Sequence, residues 1–92
     1  MRVSILEPTK TVYEGNAKEV VLSSQEGQVT VLDFHQQFLF RLIKSYITIR
    51  GIWTGGVNQR SAQTTEINIP INGGVAKMSG NELIIIAEPS LG

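Results

Sequence analysis

The chain has no cysteine and only one histidine among its 92 residues. Without cysteine there is no disulfide framework, thiolate zinc site or thiol nucleophile. The Asp33-Phe34-His35 stretch offers at most two metal ligands, whereas a protein zinc site takes three or four. Charge of either sign is also missing in excess: eight Lys/Arg balance eight Asp/Glu. A neutral chain has no field to draw in a polyanion or an anionic membrane. No run of about 18 apolar residues is present, so no helix is expected to cross a bilayer. The opening MRVSILEPTK lacks the apolar stretch of a secretory signal, and the expectation is a cytoplasmic protein. Gly55-Gly56 and Gly73-Gly74 lack the lysine and the helix of a phosphate-binding loop.

What is present reads as β-structure. Hydrophobic residues make up 41% of the chain and charged residues 17%, a globular balance for one small domain. Val3 and Ile5 alternate with polar neighbours, as do Val29 and Val31, Ile47 and Ile49, and Ile67, Ile69 and Ile71. Val12-Tyr13, Val20 to Leu22, Val75 to Met78 and Leu83 to Ala87 add further short runs between turn signals. Pro70 cannot donate to a ladder and predicts an edge strand. The unbroken run Leu83-Ile84-Ile85-Ile86 predicts a central one. From Asp33 to Tyr46 the apolar positions Phe34, Phe38, Leu42 and Tyr46 recur every four residues, and pattern alone leaves helix and strand open. The polar stretch Thr54 to Thr65 reads as a long hairpin loop. Together these features predict an all-β fold, a sandwich or a barrel.

No catalytic constellation emerges. Asp33, His35 and the many serines allow a Ser-His-Asp triad to be written down, but no nucleophile elbow supports it. Glu19 and Glu26 make an acid–base pair on paper only, and solvated surface carboxylates account for them. Arg41, Lys44, Arg50 and Arg60, with Tyr46 and Trp53 nearby, are compatible with a small barrel that binds single-stranded nucleic acid or another ligand. Zero net charge speaks against that, and a small neutral β-domain with no visible active site is expected to work as a binding or assembly module.

The order of segments resembles the N-terminal β-sandwich of the epsilon subunit of F-type ATP synthases. Val3 to Pro8 followed by Val12-Tyr13-Glu14-Gly15 is similar to the family's opening strand and turn. Ser24-Gln25-Glu26-Gly27-Gln28-Val29-Thr30-Val31-Leu32 leads without a gap to His35, where the family has the histidine of a Pro-Gly-His turn. Ile71-Asn72-Gly73-Gly74-Val75 and Asn81 to Glu88 resemble its closing segments. Departures include Asp33-Phe34 for Pro-Gly, Gln36-Gln37 for Ala-Pro, Ile43-Lys44-Ser45 for Lys-Pro-Gly and Gln28 for an acid.

The resemblance implies a two-sheet β-sandwich of about nine or ten short, mostly antiparallel strands over residues 1–88. Residues 89–92 would form a tail where the family's helical hairpin begins. It also implies a turn at Asp33 to His35 and a strand from about Phe38. The implied function is that of a non-catalytic rotor subunit in the central stalk, with no cofactor and no metal. Such a subunit links gamma to the membrane c ring and couples ion translocation to ATP synthesis or hydrolysis. The implied location is peripheral, on the cytoplasmic face of the bacterial inner membrane, with membrane contact only through the complex. Carried over by position, Phe40, Asn72, Gly73, Gly74 and His35 would face gamma. Ser24, Glu26, Gly27 and Gln28 would face the c ring. A chain ending at Gly92 would have no hairpin with which to inhibit hydrolysis.

Overall fold

The computed structural model describes residues 1–52 and 65–89. Among them are nine strands and no helix: β1 (Arg2–Glu7), β2 (Lys10–Asn16), β3 (Glu19–Ser24), β4 (Gly27–Leu32), β5 (Phe38–Leu42), β6 (Ser45–Ile52), β7 (Thr65–Ile71), β8 (Gly74–Ser79) and β9 (Glu82–Ala87). They form a five-stranded sheet in the order β2-β1-β9-β8-β5 and a four-stranded sheet in the order β4-β3-β6-β7. All pairings are antiparallel except that of β1 with β9.

The period-2 patterns become the two inner faces. In β8, Gly74, Ala76 and Met78 are buried while Val75, Lys77 and Ser79 are exposed. Val3, Ile5, Leu83 and Ile85 from the larger sheet meet Val20, Leu22, Val31, Ile47 and Ile49 from the smaller, and all nine are fully buried. Removing such side chains from water stabilises the fold by about 1.5–3 kcal/mol each. No buried side-chain nitrogen or oxygen among the described residues lacks a partner, so the core carries no polar penalty. Packing two apolar faces at crystal-like density gives a body that resists deformation.

Pro70 lies in the edge strand β7, as its missing N–H requires. The run Leu83 to Ile86 lies in β9, the middle strand of its sheet. The segment with spacing of four contains no helix. Phe34 has φ of 61°, the His35 N–H donates to the Leu32 carbonyl at 3.1 Å, and a strand begins at Phe38. A spacing of four is even, so it places Phe38 and Leu42 on one face of a strand as readily as on one face of a helix. Phe40, between them, breaks the helical pattern and fits the strand: it stacks on Phe38 with ring centroids 4.6 Å apart. The Asp33 carboxylate pairs with the Met1 ammonium. The loop read at Thr54 to Thr65 lies outside the described residues apart from Thr65, which opens β7.

Candidate functional site

The outer faces of the two sheets differ in character. On the four-stranded sheet, register aligns Leu32, Glu19, Arg50 and Glu66 in one row and Thr30, Val21, Thr48 and Asn68 in the next. Arg50 donates to Glu66 at 2.9 Å and to Glu19 at 3.2 Å, and the Thr48 hydroxyl donates to Asn68 at 2.7 Å. The Glu66 hydrogen bond and its charge, with help from Glu19, hold the Arg50 guanidinium above its ordinary pKa. These two rows pair their own charges, while Leu32 and Tyr46 on the same face are 53% and 64% exposed.

The outer face of the five-stranded sheet is not closed in this way. Register places Leu39, Lys77, Ile84 and Ser4 in one row and Arg41, Val75, Ile86 and Leu6 in the next. Leu39, Val75 and Ile86 are 69%, 40% and 50% exposed, and Ile84 and Leu6 are half-buried beside them. A groove of about 500 Å³ runs over Val75 and Ile86 between Arg41 and Glu88. Toward the β8–β9 turn the face becomes polar, with Ser79, Glu82 and Arg2 aligned and Arg2 paired with Glu14.

The expected site residues fall into three places. Ser24, Glu26, Gly27 and Gln28 form the exposed tip between β3 and β4, where the Glu26 N–H donates to the Ser24 hydroxyl at 3.2 Å. Asn72, Gly73 and Gly74 lie at the same end of the sandwich. The link is the Ile43 N–H, which donates to the Ser23 carbonyl at 3.1 Å, while Leu42 pairs with Gly74. Phe40 lies along β5 and lines a cleft of about 380 Å³ beneath the β3–β4 tip, so it joins the tip more closely than it joins Asn72. His35 is at the opposite end, beside Phe34, whose N–H donates to the Asn81 side chain at 2.8 Å. The length of β5, about 13 Å at ordinary strand rise, separates it from Gly74.

The tight backbone approach at the glycine pair is made within the chain. Gly73 and Gly74 are buried, with φ of 133° and 156°, and a Cβ on Gly74 would stand 2.3 Å from the Ile86 carbonyl oxygen. His35 meets Phe38 edge-on at 5.3 Å, and its Nδ1 lies 2.9 Å from the Gln36 carbonyl. It forms no triad with Asp33, which is held by Met1. Glu19 and Glu26 sit at opposite ends of the β3–β4 hairpin. Among the described residues no three His, Asp or Glu side chains gather to hold a metal. The basic residues also fail to form one surface. Arg41 faces outward from the five-stranded sheet and Arg50, tied by two carboxylates, from the other, while Arg60 and Trp53 lie outside the described residues.

The beta-sandwich domain of the ATP synthase Delta/Epsilon chain matches residues 1–90. The chain belongs to that family. It is 30% identical over 87 residues to the ATP synthase epsilon chain of Gloeobacter violaceus, covering 95% of this chain and 58% of that one. The epsilon chain of Thermosynechococcus vestitus is 31% identical over 87 residues, at 94% and 54% coverage. The chain thus spans a little over half the length of the curated relatives it matches. A chain in the central stalk/c-ring structure of the Tetrahymena thermophila mitochondrial ATP synthase superposes with a TM-score of 0.70. It is 17% identical, with 97% of this chain and 63% of that one covered, and at that identity the likeness speaks for the fold.

In this Delta/Epsilon-type sandwich, sequence reasoning did not single out the uncovered face of Leu39, Val75, Lys77 and Ile86, and it noted Arg41 only among the basic residues. One signal for them was present. A continuous apolar run fits a strand covered on both sides, and here the inner side of β9 is covered while the outer side is not.

Proposed function

We propose that this chain is a non-catalytic rotor subunit of an F-type ATP synthase, joining the gamma subunit to the membrane c ring at the foot of the central stalk. The observation that carries the reading is the family match across residues 1–90, on a fold that superposes over nearly its whole length on a chain of a central-stalk structure. The physical properties agree with the role. A torque-bearing part must not deform, and a two-sheet sandwich with an apolar core is stiff.

In this reading Ser24, Glu26, Gly27 and Gln28 face the c ring, with Glu26 supplying charge where Gln28 is neutral. The gamma subunit contacts Phe40, Asn72, Gly73, Gly74 and His35 in the expected set, of which Gly73 and Gly74 are buried and the other three half-buried. Residues 1–88 act as the domain and 89–92 as the tail leading from it. Contact with the membrane is made through the complex, on the cytoplasmic face of a bacterial inner membrane.

The test is coupling. Membrane vesicles from cells lacking the chain are expected to lose ATP-driven ion pumping, and adding back the protein is expected to restore it. Pumping that is unchanged without the chain would refute the reading.

A further inference from the structure

We infer that the α-amine of Met1 is a modification site on which the stability of the sandwich depends: a free ammonium closes one end of the fold, and an N-formyl or N-acetyl group loosens that end. In a chain started with formyl-methionine, a deformylase therefore has to act before the fold gains its full stability. Water adds to the formyl carbon, the C–N bond breaks, formate leaves and the amine is held as ammonium. The inference concerns the fold and stands apart from the stalk reading.

Three observations carry it. First, Met1 is part of the core, only 7% exposed, and it continues the β1–β2 ladder by one pair beyond Arg2 and Asn16. The Ala17 N–H donates to the Met1 carbonyl at 2.9 Å, and the Met1 ammonium donates to the Ala17 carbonyl at 2.8 Å. Second, the ammonium has donors left over, and one goes to the Asp33 carboxylate in the β4–β5 turn. Among the described residues no other cation pairs with Asp33. The pair joins the start of β1 in the larger sheet to the end of β4 in the smaller. Third, the same turn is held at its next residue. The Phe34 N–H donates to the Asn81 side chain at 2.8 Å, and the Arg2 N–H donates to the Asn81 carbonyl at 3.0 Å. Phe34 has φ of 61°, a conformation that a bulky residue keeps only where its surroundings hold it. Acylation removes the positive charge of the amine and leaves it one N–H. That N–H can serve Ala17 or Asp33 and not both. Asp33 then loses its cation and a charge-assisted hydrogen bond. Its side chain is 43% exposed, so water makes good part of the loss and the effect is moderate.

The experiment uses chemically synthesised full chains with Met1 free, formylated or acetylated, each as wild type and as Asp33→Asn. Folding is followed by far-ultraviolet circular dichroism against urea, or against trimethylamine N-oxide for any chain that is unfolded in buffer. Either acyl group is expected to lower the folding equilibrium constant of wild type at least about fivefold. In Asp33→Asn the factor is expected to fall by at least about half, because the carboxylate that the acyl group deprives is gone. A wild-type loss below about fivefold, or a factor in Asp33→Asn more than about half as large as in wild type, overturns the inference.

Discussion

Replacing Gly74 with alanine separates a glycine kept for the fold from one kept for a partner. At φ of 156° an alanine is strained, and its Cβ would lie 2.3 Å from the Ile86 carbonyl oxygen and 3.0 Å from the Ala87 Cα. Those obstacles are backbone atoms of the central strand β9, so no side chain can swing aside to relieve them. Backbone strain at such a position costs about 1–3 kcal/mol. Forcing β8 and β9 apart to admit a methyl group adds a further 1–3 kcal/mol or so. Gly27 supplies the control: its φ is 123°, and nothing lies within 4 Å of an added Cβ. Gly27→Ala therefore carries the strain without the clash. Urea unfolding followed by far-ultraviolet circular dichroism is expected to place Gly74→Ala about 1–3 kcal/mol below Gly27→Ala, a large share of the roughly 5–14 kcal/mol a domain of this size possesses. A Gly74→Ala protein as stable as Gly27→Ala would refute the intramolecular account. A stable protein that had lost partner binding would return the glycine to the interface.

On β9, Leu83→Ala is expected to cost about 2–5 kcal/mol in urea unfolding, because Leu83 is fully buried, while Ile86→Ala, half exposed on the outer face, costs well under half of that. Burial raises the Tyr13 pKa above 10.0, with Arg2 opposing part of the shift. A raised folded-state pKa means that this contribution is fully present below pH 10 and is lost as pH rises through the folded value. Wild type is accordingly expected to lose stability relative to Tyr13→Phe as alkaline titration passes pH 10, and parallel curves would contradict the burial effect. At the β3–β4 tip, Glu26→Ala with Gln28→Ala is expected to leave the urea midpoint within about 0.5 kcal/mol of wild type. The same pair is expected to reduce retention of the chain on purified c rings carrying gamma, and full retention would remove the tip from the ring contact.

Most of the fold was legible because burial writes itself into alternation. Val3 and Ile5, Val29 and Val31, and Ile47 and Ile49 announce strands with one covered face, and each pair lies in one. Pro70 announced an edge by a chemical incapacity. The segment from Asp33 to Tyr46 was not legible from pattern, since an even spacing of four serves both periodicities and only Phe40 discriminates. The site was legible in part. Gly73-Gly74 drew notice only through the resemblance, and what lies against Gly74 in the structure is the Ile86 carbonyl. The resemblance groups Phe40, Asn72 and His35, yet β5 carries His35 to the end opposite Asn72. The uncovered grid of Leu39, Arg41, Val75, Lys77 and Ile86 depends on β5, β8 and β9 lying side by side. That is a fact of strand order, which no local pattern records.

A rotor subunit of the proposed kind forms a lasting complex with gamma. Size-exclusion chromatography of the full chain mixed with its cognate gamma subunit at micromolar concentration is the test. Co-elution as a single complex that survives dilution during the run is expected. Separate elution of the two proteins under those conditions would contradict it.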